Sequence, residues 1–179
     1  MGSNPSYNQN CGDTCPVERL SWEETQLYVR KLNAISGQQF RLSSEAEWEY
    51  AARSGSTGDW CFGDDESQLG IYAWYSGNSS STTHPVAGKR ANAFGLHDMH
   101  GNVWEWVEDY YHDSYHGAPQ DGESWLIGGE QRYRVQRGGS RLSDPEYVRS
   151  TARVRATFDL RNYSSDDNGF RLARTLSNP

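Results

Sequence analysis

The strongest constraint on this chain is that its helix signals are confined to the N-terminal part. Ser21-Trp22-Glu23-Glu24 has the spacing of a capping box, in which the Ser21 hydroxyl takes the Glu24 backbone N–H and the Glu24 carboxylate reaches back. Behind it Trp22, Tyr28, Val29, Leu32 and Ile35 recur on one helical face, and Gly37 is a natural stop. Ser44-Glu45-Ala46-Glu47 repeats the pattern, with Trp48, Ala51 and Ala52 as the buried stripe and Gly55 as the stop. Between the two helices, Gln39-Phe40-Arg41-Leu42 alternates like a short strand. From Ser54 onward helical periodicity is lost. Short aromatic pieces such as Ile71-Tyr72-Ala73-Trp74-Tyr75 stand among Gly, Ser, Asn and Asp, and Ser76 to Thr83 reads as a polar loop. Val103, Glu105 and Val107 alternate with Trp104 and Trp106, the pattern of a strand with two differently used faces. A long loop over 110–130 leads to a strand at Arg134–Arg137, which runs into Gly138-Gly139-Ser140, and a last strand signal covers Gly169–Ala173. Two helices followed by short strands and long loops predict an α+β fold in one domain over 1–179.

Such a chain has little aliphatic material for its core. Hydrophobic residues make up 35% while aromatics reach 13%, so large rings must do most of the packing, and each buried Trp or Tyr needs a partner for its polar atom. The net charge of −7 disfavours binding to a nucleic-acid backbone, and the arginines concentrated after Arg132 are expected to pair in part with carboxylates. No apolar run approaches the roughly 18 residues of a membrane span, and the start, Met1-Gly2-Ser3-Asn4-Pro5, lacks the apolar region of a signal peptide. The compartment stays open among a virion or cell surface and the cytoplasm. Cys11 and Cys15 are close enough in sequence for a local bridge; no second pair or nearby His completes a zinc set, and Cys61 reads as a buried inert thiol. His84, His97, His100, His112 and His116 fall at no recognised metal-ligand spacing, and no nucleophile elbow or phosphate loop is present.

Several segments in sequence order carry a resemblance. They are Asn4-Pro5-Ser6-Tyr7, Pro16-Val17-Glu18 with Ser21-Trp22, and Arg41-Leu42 with the run Glu45 to Arg53. Gly95 to Trp106, Arg137-Gly138-Gly139-Ser140 and Asn168-Gly169-Phe170-Arg171-Leu172 complete the set. Together they resemble the formylglycine-generating enzyme, or sulfatase-modifying factor, domain. The resemblance implies a C-type-lectin-like fold: two helices, a small twisted antiparallel sheet and long irregular loops. It also implies copper held by two cysteines, because thiolates are the soft ligands that Cu(I) prefers. The matching positions here are Ser143 and Val148, so the resemblance implies a non-catalytic member without copper. The alternative is a divergent oxidase, or an enzyme-accessory domain, of the same family.

The resemblance further implies a structural calcium ion held by Asp98, the carbonyls of Gly101 and Val103, and the Glu105 carboxylate; calcium takes about six to eight hard oxygens, many of them backbone carbonyls. The competing expectation is that Glu105 pairs with an arginine beneath Trp104 and Trp106. Between Gly-Gly-Ser and Gly-Phe-Arg the family builds its exposed substrate face. Here that stretch offers Arg141, Ser143, Asp144, Tyr147, Arg155, Thr157, Asp159, Arg161, Asn162, Tyr163, Ser164, Ser165, Asp166 and Asp167, a mixture suited to gripping a protein, peptide or glycan. Arg149, Arg153 and Arg171 match recurrent family arginines and are expected to be scaffold. Some proteins of this fold are variable proteins of diversity-generating retroelements, whose C-terminal segment is randomised at adenines. Randomised Asn codons cannot yield Trp, Met, Gln, Lys or Glu, and between Arg141 and Asp167 only Glu146 belongs to that excluded group. The sequence therefore predicts a binding domain with a diversified C-terminal surface.

Overall fold

The computed structural model describes residues 4–9, 11–157 and 165–175. Both capping boxes form. Helix α1 (Trp22–Ser36) starts with Ser21 accepting from the Glu24 N–H while Glu24 caps the Ser21 N–H, and Gly37 ends it in the left-handed conformation. Helix α2 (Glu45–Arg53) is opened in the same way by Ser44 and Glu47. It stops one residue before the expected Gly55, with Ser54 itself left-handed at φ 46°. The stripe expected on α1 is narrower than its periodicity suggests. Val29 and Thr25 are buried, whereas Ile35 is 87% exposed.

Strand β1 (Phe40–Leu42) follows α1. After α2 the chain makes the single-turn helix α3 (Leu69–Tyr72), which the sequence pattern does not announce, and then β2 (Trp104–Tyr111), β3 (Glu130–Arg137), β4 (Arg153–Thr157), β5 (Asn168–Phe170) and β6 (Leu172–Arg174). The last strand signal is thus two strands serving two sheets. β6 pairs antiparallel with β1, while β5 joins a four-stranded sheet in the order β4-β3-β2-β5. That larger sheet is mixed rather than wholly antiparallel, because β5 runs parallel to β2, with Glu105 opposite Gly169. The architecture is α+β and C-type-lectin-like.

Trp48 and Ala52 of α2 pack on Val107 and Val135 of the sheet together with Met99. A second cluster joins Trp60, Leu69, Ala73 and Val148. Around these small cores arginines pair and stack. Arg137 is fully buried between Glu45 and Glu49, Arg153 meets Glu45 at 2.7 Å, and the Arg134 guanidinium lies 3.9 Å from the ring centres of both Trp22 and Tyr110. Each such buried charge is tolerable because a carboxylate, carbonyl or ring face compensates it. Cys11 and Cys15 are disulfide-bonded, and Cys61 is half-buried with its thiol pushed up to about 11 by burial, as expected for an inert thiol. Among the described residues no helix is long and apolar enough to cross a membrane.

Candidate functional site

The segment after β3 is anchored from within. At Gly139 (φ 74°) a Cβ would stand 2.5 Å from Val148 Cγ1 and 2.7 Å from the Tyr147 carbonyl, so the turn demands glycine. Ser140 then acts as a hub. Its N–H donates to Ser143 Oγ at 2.9 Å, its hydroxyl donates to Asp167 Oδ2 at 2.7 Å, and it receives the Leu142 N–H. Val148 is completely buried against Trp60, Leu69 and Ala73. Its carbonyl takes a 2.8 Å bond from His100 Nδ1, and His100 Nε2 accepts the Cys61 N–H, which fixes a neutral ring with its pKa lowered by burial to about 4. At the two positions matched to copper-binding thiols stand a hydroxyl engaged by its neighbours and an isopropyl group in the core. Neither is a soft-metal ligand.

Three residues expected on the display face are internal. Arg141 is 2% exposed; its guanidinium meets Asp166 Oδ1 at 3.0 Å and donates to the carbonyls of Ser81 and Asp166. Ser143 and Asp167 are also buried, and both Asp167 oxygens are taken, one by Ser140 and one by Ser165. These groups tie the segment to the scaffold, which is why polarity alone misplaced them outside. Asp144, Tyr147, Arg155 and Thr157 are exposed, and Ser165 and Asp166 are half-buried. Asp159, Arg161, Asn162, Tyr163 and Ser164 lie outside the described residues. Of the arginines expected as scaffold, Arg153 and Arg171 are built into ion pairs, while Arg149 is 43% exposed and pairs with Asp59.

Four of the expected recognition residues converge. Arg155, Thr157, Ser165 and Asp167 line one open pocket of about 360 Å³ beside β4, together with Trp104, Tyr133, Gln136, Ala156 and Asn168. The register places two of them together: β4 lies on β3 with Thr157 opposite Tyr133. Asp144 and Tyr147, on a 3-10 turn (Pro145–Val148) and its cap, do not line it. Gln136 is 3% exposed, and its Nε2 has no hydrogen-bond partner among the described residues. Tyr133 is flanked by two exposed guanidinium groups, Arg132 at 5.6 Å and Arg155 at 5.2 Å. Sequence reasoning missed Trp104, Tyr133 and Gln136 here. They stand on β2 and β3, and only the pairing of β4 on β3 and of β5 on β2 brings the recognition segment beside them.

The four residues implied for calcium share one cavity, although no group of three or more His, Cys, Asp or Glu side chains placed to hold a metal ion occurs among the described residues. Asp98, Gly101, Val103 and Glu105 line a cavity of about 450 Å³. Asp98 Oδ1 is buried without a hydrogen-bond partner among the described residues, and burial raises its carboxyl above the ordinary value. Glu105, by contrast, is already used: Arg171 binds both of its oxygens and Trp48 Nε1 donates to Oε2 at 2.7 Å. The arginine pairing is thus present, and of the two carboxylates in this cavity Asp98 is the one that keeps an oxygen without a partner among the described residues.

The anchored Gly-Gly-Ser turn, mixed sheet and cavity between Asp98 and Glu105 define a class that the comparisons identify. The sulfatase-modifying factor enzyme 1-like domain matches residues 1–176, and the chain belongs to that family. The formylglycine-generating enzyme of Streptomyces coelicolor is 32% identical over 174 residues, covering 88% of this chain and 52% of the relative. The inactive C-alpha-formylglycine-generating enzyme 2 of Bos taurus is 32% identical over 177 residues, covering 92% and 52%. The chain thus spans about half the length of these curated relatives. Among solved structures, Treponema denticola variable protein 1 superposes with a TM-score of 0.87 at 31% identity, covering 97% of this chain and 78% of that one.

Proposed function

We propose that this domain binds a ligand without chemistry and that its C-terminal segment is a diversified recognition surface. The observation that carries the reading is the pocket beside β4: residues of the segment expected to vary (Arg155, Thr157 and Ser165) meet residues of the fixed sheet (Trp104, Tyr133 and Gln136) in one open site. The likeness to a protein called a variable protein supports it, as does the likeness to relatives called inactive. Burial narrows the displayed set to Asp144, Tyr147, Arg155, Thr157, Ser165 and Asp166 among the described residues. Binding of a protein, peptide or glycan there needs only a pre-formed surface.

The decisive test is to sequence the neighbouring DNA for a repeat nearly identical to the codons of residues 141–167 but differing at adenines. Finding it supports diversification, and its absence reduces the chain to an undiversified binding or accessory domain. The alternative of a divergent oxidase is supported by the family itself and is tested by assaying copper-dependent oxidation of a substrate cysteine. Turnover would overturn the non-catalytic reading. We propose in addition that calcium, where bound, is held by Asp98 with the carbonyls of Gly101 and Val103 and with Glu105, as a structural ion bracing the loop before β2.

A further inference from the structure

We infer that His112 is a proton-dependent clamp at the base of the loop between β2 and β3: as an imidazolium it ties the two ends of that loop together, and deprotonation releases one tie. The clamp stands apart from the recognition surface beside β4 and does not depend on it.

The first observation is a mismatch of donors and acceptors. His112 Nδ1 faces the Tyr110 carbonyl at 3.0 Å, and Nε2 faces the Ile127 carbonyl at 3.1 Å. A carbonyl oxygen only accepts, so each nitrogen needs a proton for its bond to exist. A neutral imidazole has one N–H and an imidazolium has two. In the neutral ring a bare nitrogen would point its lone pair at a carbonyl, and one of the two bonds is lost. His100 shows the contrast: its nitrogens meet one carbonyl and one backbone N–H, the pair that a neutral ring satisfies.

The second observation is that the seat suits a cation. The His112 ring lies flat on Trp125, with 3.5 Å between ring centres and 5° between planes, and an indole face attracts positive charge. At Gly129 (φ 67°) a Cβ would stand 2.7 Å from His112 Nε2, so the backbone passes the ring at a distance that glycine allows. Asp113 and Glu130 line the same pocket of about 260 Å³, with Tyr111 and the exposed His116. Arg153, from β4, binds the backbone carbonyl of His112, and its own charge is met by Glu45. Asp109, from β2, accepts the Trp125 N–H, and burial raises its carboxyl above the ordinary value. Ionisation of Asp109 strengthens that bond as pH rises, so it opposes the His112 effect and does not imitate it.

The third observation is position. Tyr111 and Glu130 pair where β2 ends and β3 begins, and the ring closes the loop just beyond that pair. Trp125 also walls a second cavity of about 400 Å³, with Tyr115 and Pro119 of the loop and Glu49 and Tyr50 of α2. The state of His112 therefore reaches that cavity through Trp125. Histidine changes its charge between about pH 5 and 8. The folded loop favours the two-proton ring, so the tie is complete at the acid end of that range and is lost as pH rises.

The test is amide hydrogen exchange of the isotope-labelled chain, followed by NMR at about pH 5.5 and pH 8 and corrected for the intrinsic pH dependence of exchange. The Trp125 N–H, bonded to Asp109, and the Tyr110 N–H, bonded to the Trp125 carbonyl, report on the loop, with the amides of α1 as the reference. Opening relative to α1 is expected to be about tenfold more frequent at the higher pH, the worth of one charge-assisted bond. His112→Gln should remove the difference, and His116→Gln should leave it in place. At the lower pH both ring nitrogens of His112 should carry protons in slow exchange with water. Equal opening of the parent at the two pH values would overturn the inference, as would a difference that survives His112→Gln or disappears in His116→Gln. So would a His112 ring nitrogen whose proton exchanges freely at the lower pH, a readout that needs no variant to fold.

Discussion

At the scale of single residues, Arg141 shows how identity and placement separate. Its type suits a contact surface, yet it is enclosed, with Asp166 as its ion-pair partner and two carbonyls as acceptors. Losing the buried guanidinium strands two carbonyls while water can still reach Asp166, so Arg141→Met is expected to destabilise the domain by about 2 kcal/mol in denaturant unfolding. Thr157→Ala, at an exposed position of the same segment, should stay within about 0.5 kcal/mol of the parent. Equal effects of the two would contradict the division into anchored and displayed residues. This division was not legible in the sequence, because Arg, Ser and Asp serve anchoring and recognition equally well, and only Ser140, Ser81 and Asp166 in their folded places distinguish the two uses. The match of Ser143 and Val148 to the family's thiols is what the resemblance implies, through the register from Gly-Gly-Ser.

At the scale of elements, the two helices were readable because their signals are local: a cap, a returning Glu and an apolar stripe lie within a few turns. The two caps do not weigh equally. Ser44 Oγ accepts the Glu47 N–H and also donates to the Gly122 carbonyl at 2.6 Å, joining α2 to the loop between β2 and β3, whereas the Ser21 cap is exposed. Ser44→Ala should therefore cost about 2 kcal/mol and Ser21→Ala about 1 kcal/mol or less, measured by chemical unfolding. The same cap carries a pH dependence. Arg41 grips Glu47 through two bonds of 2.6 and 2.7 Å and holds its carboxyl below the ordinary value. A lowered carboxyl stabilises the fold above its unfolded pKa, near 4.5, and that contribution is lost as pH falls through the lowered folded value. Melting temperatures of the parent should thus fall more steeply below about pH 4.5 than those of Glu47→Gln; parallel curves would remove the assignment. The sheet was less readable. That Gly169–Ala173 divides between two sheets, and that β5 lies parallel to β2, depends on long-range partners that no local pattern encodes.

At the scale of the whole molecule, a small aliphatic core leaves stability to rest on scattered polar ties, and the proposed calcium ion would be one further tie of the same kind. Calcium at the cavity between Asp98 and Glu105 would brace the loop that feeds β2, the strand shared by β3 and β5. Glu105 is a poor probe of that ion, since its loss would also strand the Arg171 guanidinium and the Trp48 indole N–H. Asp98 is the cleaner one. Among the described residues its Oδ1 has no hydrogen-bond partner, while Oδ2 takes a bond from the Ala87 N–H, which an asparagine oxygen can replace. A ligand bound at about a hundred times its dissociation constant stabilises by about 2.7 kcal/mol, enough to raise the melting temperature by several degrees. The parent should therefore melt several degrees higher in millimolar calcium than in chelator, and Asp98→Asn should melt alike in both. If the parent shows no difference, the loop is held by its hydrogen bonds and the Glu105–Arg171 pair, and the oxygens around Asp98 serve no cation.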